Sequence, residues 1–170
     1  MNSMRLSLEE IESVYSRRGA DFFRLALART GDVEMAREAV QEGFAGAIRS
    51  RHTYRGSGSV DAWIARCVIN AAQDLVQRIP AAVDEGADLP SDNGREERTH
   101  STGGVDDRIV REAVRQLPQR QRDALYLRFY LGFDYAAIAQ TLGIEIGTVS
   151  ATLHAARAAL ARYLKEEVAR

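Results

Sequence analysis

The chain has 170 residues, 45% hydrophobic and 28% charged, with a formal net charge of −1. That length suits one ordinary domain or two small ones. A single cysteine, Cys67, excludes an intrachain disulfide framework and a multi-cysteine zinc site. No apolar run approaches the roughly 20 residues that a membrane span needs. Met1 to Glu10 lacks the apolar core of a signal peptide. The expectation is a cytoplasmic protein without membrane insertion.

The charge is unevenly spread. Residues 1–78 carry +1, residues 79–107 carry −6 and residues 108–170 carry +4. Phosphate binding depends on local basic surface, so the C-terminal stretch can meet nucleic acid although the whole chain is slightly acidic.

Between Leu6 and Arg78 there is no proline, and alanine, leucine and arginine are frequent, which favours helix. Leu8, Ile11, Tyr15, Phe22 and Leu25 or Ala26 recur on one helical face. Thr30-Gly31-Asp32 breaks that pattern, with Gly31 suited to a left-handed stop and Asp32 to the next cap. A second helix over Val33–Arg49 puts Ala36, Val40, Phe44 and Ala47 or Ile48 on one stripe. After the glycine-rich Tyr54–Ser59 break, Ser59 can cap a third helix over Val60–Arg78. Trp63 and Cys67 fall on its apolar side, where core packing and an inert thiol are the plain readings.

The stretch from Ala81 to Asp107 has many acids and few, small apolar residues. It cannot bury enough surface to offset its ordering entropy, so it reads as a flexible acidic linker. Helical character returns with Ile109, Val110, Ala113, Val114 and Leu117. Pro118 suits the first turn of a helix running to Leu131, with Ala124, Leu125, Leu127 and Phe129 as its apolar residues. Asp134 can cap Tyr135–Leu142, and Gly143 can turn the chain into a final helix from Gly147-Thr148 to about Lys165.

The fold class is therefore all-α, with two small helical domains over residues 6–79 and 108–166 joined by a linker over 80–107. The segment Asp134–Val149 has the physical signature of a helix-turn-helix. Gly143 provides positive φ, Ala139 allows close helix approach, and Ile138, Leu142, Ile144, Val149 and Leu153 provide the seam. The second helix then projects its N-terminal half outward, where it can enter a major groove. His52, His100 and His154 are scattered. No nucleophile–base set, P-loop or dinucleotide fingerprint is present, so neither a cofactor, a metal nor an enzymatic activity is expected.

Leu117–Gly132, the helix-turn-helix and Thr152–Leu160 together resemble region 4 of sigma-70 family factors, most of all the small extracytoplasmic-function group. Independently, Ala36–Phe44 resembles region 2.2 of that family, and Tyr54–Asn70 with Asp74 and Arg78 resembles regions 2.3 and 2.4. The resemblance spans about Leu8 to Leu164. It implies an alternative sigma factor that binds core RNA polymerase and directs promoter recognition, DNA opening and transcription initiation.

Glu38, Gln41 and Glu42 lie within about one helical turn and share a polar surface. With Phe44, the resemblance assigns that surface to the clamp helices of the polymerase's largest subunit, while region 4 implies contact with the flap. It assigns Arg55, Gly56, Ser57, Arg66, Asn70, Asp74 and Arg78 to the −10 element. Asn70, Asp74 and Arg78 are spaced by four and share one face. Promoter opening requires bases to be unstacked and held, at about a few kcal/mol per step. An i,i+4 ion pair between Asp74 and Arg78 is compatible with that role. The −35 element falls to Thr148, Ser150, Thr152 and Arg157, with Arg120 and Arg122 in the preceding helix. An anti-sigma factor is the expected regulator.

The recognition helix departs from the family pattern. Ser150 stands for a customary lysine, Thr152 and Ala155 for customary arginines, and Glu145 for the serine cap. Each lost cation removes a phosphate contact or a guanine contact. Two alternatives follow: a sigma-like co-factor or decoy that binds polymerase without initiating alone, and a plain helix-turn-helix regulator.

Overall fold

The computed structural model describes residues 6–78 and 107–169; the expected acidic linker lies almost wholly outside them. Among the described residues every regular element is helical. The N-terminal unit comprises α1 (Leu8–Thr30), α2 (Val33–Ser50), a 3₁₀ turn (Arg51–Thr53) and α3 (Val60–Arg78). The C-terminal unit comprises α4 (Asp107–Arg115), α5 (Gln119–Phe129), α6 (Tyr135–Leu142) and α7 (Ile146–Val168).

Local chemistry sets the helix ends. Ser7 and Glu10 form a reciprocal capping box at the start of α1, at 3.1 and 2.8 Å. Gly31, at φ 68°, ends α1 by donating its N–H to the Leu27 carbonyl. Asp32 then accepts from the Met35 N–H at 2.8 Å, and Ser59 accepts from Ala62 at 3.3 Å to start α3. Pro118 stands just before α5 in extended conformation, outside the first turn. That helix ends at Phe129, two residues short of the expected limit.

Packing follows the apolar stripes with two shifts. In α1 the buried face is Ile11, Val14, Phe22, Leu25 and Ala26, whereas Leu8 and Tyr15 are exposed. Phe129 of α5 is likewise exposed, with the Arg157 guanidinium over its ring. The tightest crossing joins α2 to α3: a Cβ added to Gly43 would stand 2.6 Å from the Val68 Cα. No residue larger than glycine fits there without moving a backbone.

In the helix-turn-helix, Asp134 caps α6 through the Ala137 N–H at 2.8 Å. Gly143 takes the left-handed conformation at φ 64°, and α6 and α7 meet at 97°. No single helix among the described residues is long and apolar enough to cross a membrane. The two units touch each other, α5 resting on α1 and α6 on α3.

Candidate nucleic-acid and polymerase interface

The α2 surface is built from residues the core does not need. Ala36, Ala39, Val40, Gly43 and Ala47 face inward, which turns Glu38, Gln41 and Glu42 to solvent. Phe44 does not belong to that exposed surface. It is 7% exposed and its ring packs on Tyr15 and Phe22, with centroids at 5.0 and 5.8 Å. Its role is to seat α2 on α1, because an aromatic ring gains more from that apolar contact than from water.

Next along the chain, the loop before α3 is held by aromatic packing. Tyr54 is buried against Trp63, with centroids 5.6 Å apart. Its hydroxyl donates to the Gly58 carbonyl at 2.8 Å, which closes the loop into a compact turn. Burial raises the Tyr54 phenol above its ordinary pKa, and Glu10 adds to the rise. Arg55, Gly56 and Ser57 sit exposed on that turn.

On α3, Ala62, Ala65, Val68, Ile69, Ala72 and Leu75 point into the core. Arg66, Asn70, Asp74 and Arg78 therefore line the exposed side. Asn70, Asp74 and Arg78 share a groove of about 240 Å³ with Glu42 and Arg49. No ion pair joins Asp74 to Arg78 among the described residues. Cys67 is half-buried in the same groove, and burial pushes its thiol up, away from the reactive thiolate.

The C-terminal unit divides its polar residues between two faces. Thr148 and Ser150 are exposed at the start of α7, and Arg157 is exposed further along. The Thr152 hydroxyl is turned back onto the Thr148 carbonyl at 2.7 Å. Glu145 stands at the N-cap without a side-chain hydrogen bond, so the cap lacks the contact a serine would make. The two α5 arginines expected to add to −35 contact have other neighbours. Arg122 is half-buried and donates to the Arg115 carbonyl at 3.2 Å and to Gln119 Oε1 at 2.7 Å, fixing α5 to α4. Arg120 is exposed but lines a cavity facing the N-terminal unit.

That cavity, of about 460 Å³, lies between the two units, with Arg29, Arg66, Asn70, Gln73, Arg120 and Asp123 among its walls. Asp123 is 4% exposed. Its carboxylate accepts from the Arg29 guanidinium, which also donates to Gln73 Oε1. Gln119 donates to its other oxygen at 2.8 Å. Burial nevertheless holds the Asp123 carboxyl above its ordinary pKa against the opposing pull of Arg29, Gln119 and Arg122. Around this pair, Arg18 donates to the Leu131 carbonyl at 2.7 Å with its guanidinium over Phe133, and Thr141 donates to the Ala62 carbonyl at 3.2 Å. Sequence reasoning missed this seam. Its one signal was an acid, Asp123, beside Ala124 and Leu127 on the apolar side of α5.

The comparisons with known proteins agree with this arrangement. Residues 14–79 match the family model described as Sigma-70 region 2, and residues 107–160 match Sigma-70, region 4. The chain is 31% identical over 157 residues to the ECF RNA polymerase sigma factor SigM of Mycobacterium tuberculosis, covering 90% of this chain and 76% of that one. It is 30% identical over 149 residues to SigE of Mycolicibacterium smegmatis, covering 84% of this chain and only 56% of that relative's length. Among solved structures, the sigma factor RpoE bound to the anti-sigma factor NepR from Bartonella quintana superimposes with a TM-score of 0.68. That match has 19% identity and covers 93% of this chain and 98% of that one. CnrH, bound to the cytosolic domain of CnrY, gives 0.67 at 18% identity, covering 94% and 90%. Two helical units, the second ending in a helix-turn-helix, are the architecture of a sigma-70 factor. The chain belongs to the sigma-70 family of RNA polymerase sigma factors, in its extracytoplasmic-function (ECF) group.

Proposed function

We propose that this chain acts as an alternative sigma factor, joining core RNA polymerase and directing it to promoter DNA for opening and initiation. The observation that carries this reading is the simultaneous exposure of two polar faces on one unit, Glu38-Gln41-Glu42 on α2 and Arg66-Asn70-Asp74-Arg78 on α3. The two faces adjoin, since Glu42 lines the same groove as Asn70, Asp74 and Arg78, so a polymerase-docking surface and a strand-binding surface can be used side by side. The first face takes the clamp helices of the largest subunit. The second, with Arg55, Gly56 and Ser57, takes the −10 element: the arginines neutralise phosphate, and the glycine-containing loop before α3 receives an extruded base. The start of α7, through Thr148 and Ser150 with Arg157, meets the −35 element and the C-terminal unit meets the flap. No covalent step is involved, and no residue is assigned as catalytic. An anti-sigma factor is the regulator that this reading entails.

Run-off transcription with core polymerase and a promoter library tests it. Specific initiation is the expected result, and absence of core binding overturns it. The sparse cations of α7 favour one second reading, a co-factor that binds polymerase without initiating alone. Core binding without initiation is its distinguishing result.

A further inference from the structure

We propose that the cavity between the two units is a binding site for a small phosphorylated molecule, a nucleoside diphosphate, held between Arg66 of α3 and Arg120 of α5. The site stands whether or not α3 meets the −10 strand, because Arg120 belongs to the other unit.

Four observations carry it. The first is size and place. The cavity measures about 460 Å³ and is walled by residues of α1, α3, α5 and α6. Small-molecule sites run from about 300 to 1,000 Å³ and favour the boundary between domains. The second is charge. Among the described residues, Arg29, Arg66 and Arg120 stand in the walls against one acid, Asp123. Arg29 and Asp123 neutralise each other, and Gln73 and Gln119 complete that pair. The excess positive charge therefore falls on Arg66 and Arg120. The third is that both of these heads are exposed, and neither makes a hydrogen bond or ion pair among the described residues. The Arg66 guanidinium reaches from α3 to the turn between α6 and α7, where a Cβ added to Gly143 would stand 3.4 Å from it. The fourth is an apolar ledge: Ile69, Val76 and Leu142 line the same cavity.

These features select the chemistry of the occupant. A guanidinium presents a planar fork of N–H donors that matches the oxygens of a phosphoryl group. Two unpartnered forks suit a diphosphate, whose two phosphoryl groups serve one arginine each. The ledge then takes the flat face of a base. No bond forms or breaks. A molecule that touches both units gains its full binding energy only while they are in contact, so occupancy favours this packed arrangement.

Isothermal titration calorimetry on the full chain tests the site, with ADP, GDP and inorganic pyrophosphate at fixed ionic strength. One-to-one binding of the nucleoside diphosphates is expected, with pyrophosphate about tenfold weaker because it lacks the apolar contact. Arg66→Gln and Arg120→Gln, on opposite units, are each expected to weaken binding about tenfold or more, the size of one lost charge-assisted hydrogen bond. The double variant is expected to abolish it. Arg162→Gln, an exposed cation of α7 outside the cavity, is expected to bind like the wild type. ADP raises the Tm of the wild type and leaves that of the double variant unchanged. Circular dichroism checks that each variant keeps its helix content. No binding of any of the three probes at millimolar concentration overturns the site. Equal weakening by Arg162→Gln reveals a general charge effect and also overturns it. Loss with Arg66→Gln but not with Arg120→Gln puts the anion on α3 alone; that overturns the bridging site and leaves the −10 reading standing. Pyrophosphate binding as tightly as the nucleotides overturns the nucleoside part and makes inorganic phosphates the occupant.

Discussion

Gly43 and Phe44 are neighbours with opposite demands, and both serve the same crossing. Gly43 lets α2 approach the Val68 backbone, and Phe44 fills the space toward α1 beside Phe22. Alanine is the better helix former by about 1 kcal/mol, yet Gly43→Ala is expected to destabilise by about 1–3 kcal/mol because its methyl meets backbone. Thermal unfolding followed by circular dichroism reads this as a lower Tm. The exposed residues on the same helices, to which the proposed function assigns binding, add little stability. Gln41→Ala is expected to weaken core association in a pull-down with core polymerase while leaving the Tm within about 1 °C, a surface change of the ordinary size. Asn70→Ala is expected to impair promoter opening, read by permanganate reactivity of the melted strand, with core binding intact. Loss of core binding in that variant would reverse the assignment of the two faces.

At the scale of the element, α6 and α7 show how little a helix-turn-helix needs. One cap, one left-handed glycine and an apolar seam of Ile138, Val149 and Leu153 fix the 97° turn. Asp134→Ala removes the only side-chain cap of an eight-residue helix and is expected to cost about 1 kcal/mol, visible in the denaturant midpoint. Recognition chemistry is sparse by comparison. Ser150 is exposed at the start of α7, where a cation would face a phosphate. Ser150→Lys is therefore expected to tighten duplex binding and steepen its salt dependence by about one unit of slope, as one more phosphate is neutralised. Titrations of a −35 duplex at several salt concentrations measure it. An unchanged slope would place Ser150 away from the DNA.

At the scale of the whole molecule, the acidic segment separates two units that nonetheless meet. Arg29, Ser59 and Ala62 of the N-terminal unit bond Asp123, Gln140 and Thr141 of the C-terminal unit, while Arg66 and Asn70 of the proposed −10 face stay exposed. These polar pairs lie beside an apolar core that runs through both units.

The amino-acid sequence determined the local events. The end of α1, the starts of α2 and α3 and both ends of α6 follow from caps at Asp32, Ser59 and Asp134 and stops at Gly31 and Gly143, because these act within one turn of chain. Periodicity likewise fixed which side of α2 and α3 is polar, and so the exposed run of Glu38, Gln41, Asn70 and Asp74. What only the tertiary structure decided are the assignments that depend on distant partners. Phe44 is drawn into the core by Tyr15 and Phe22, Arg122 is held by Arg115 and Gln119, and Arg120 turns toward the N-terminal unit. Arg29 and Asp123 are 94 positions apart. Each reads in the sequence as an ordinary charge on an amphipathic helix, and only the packing of two helical units makes them a pair.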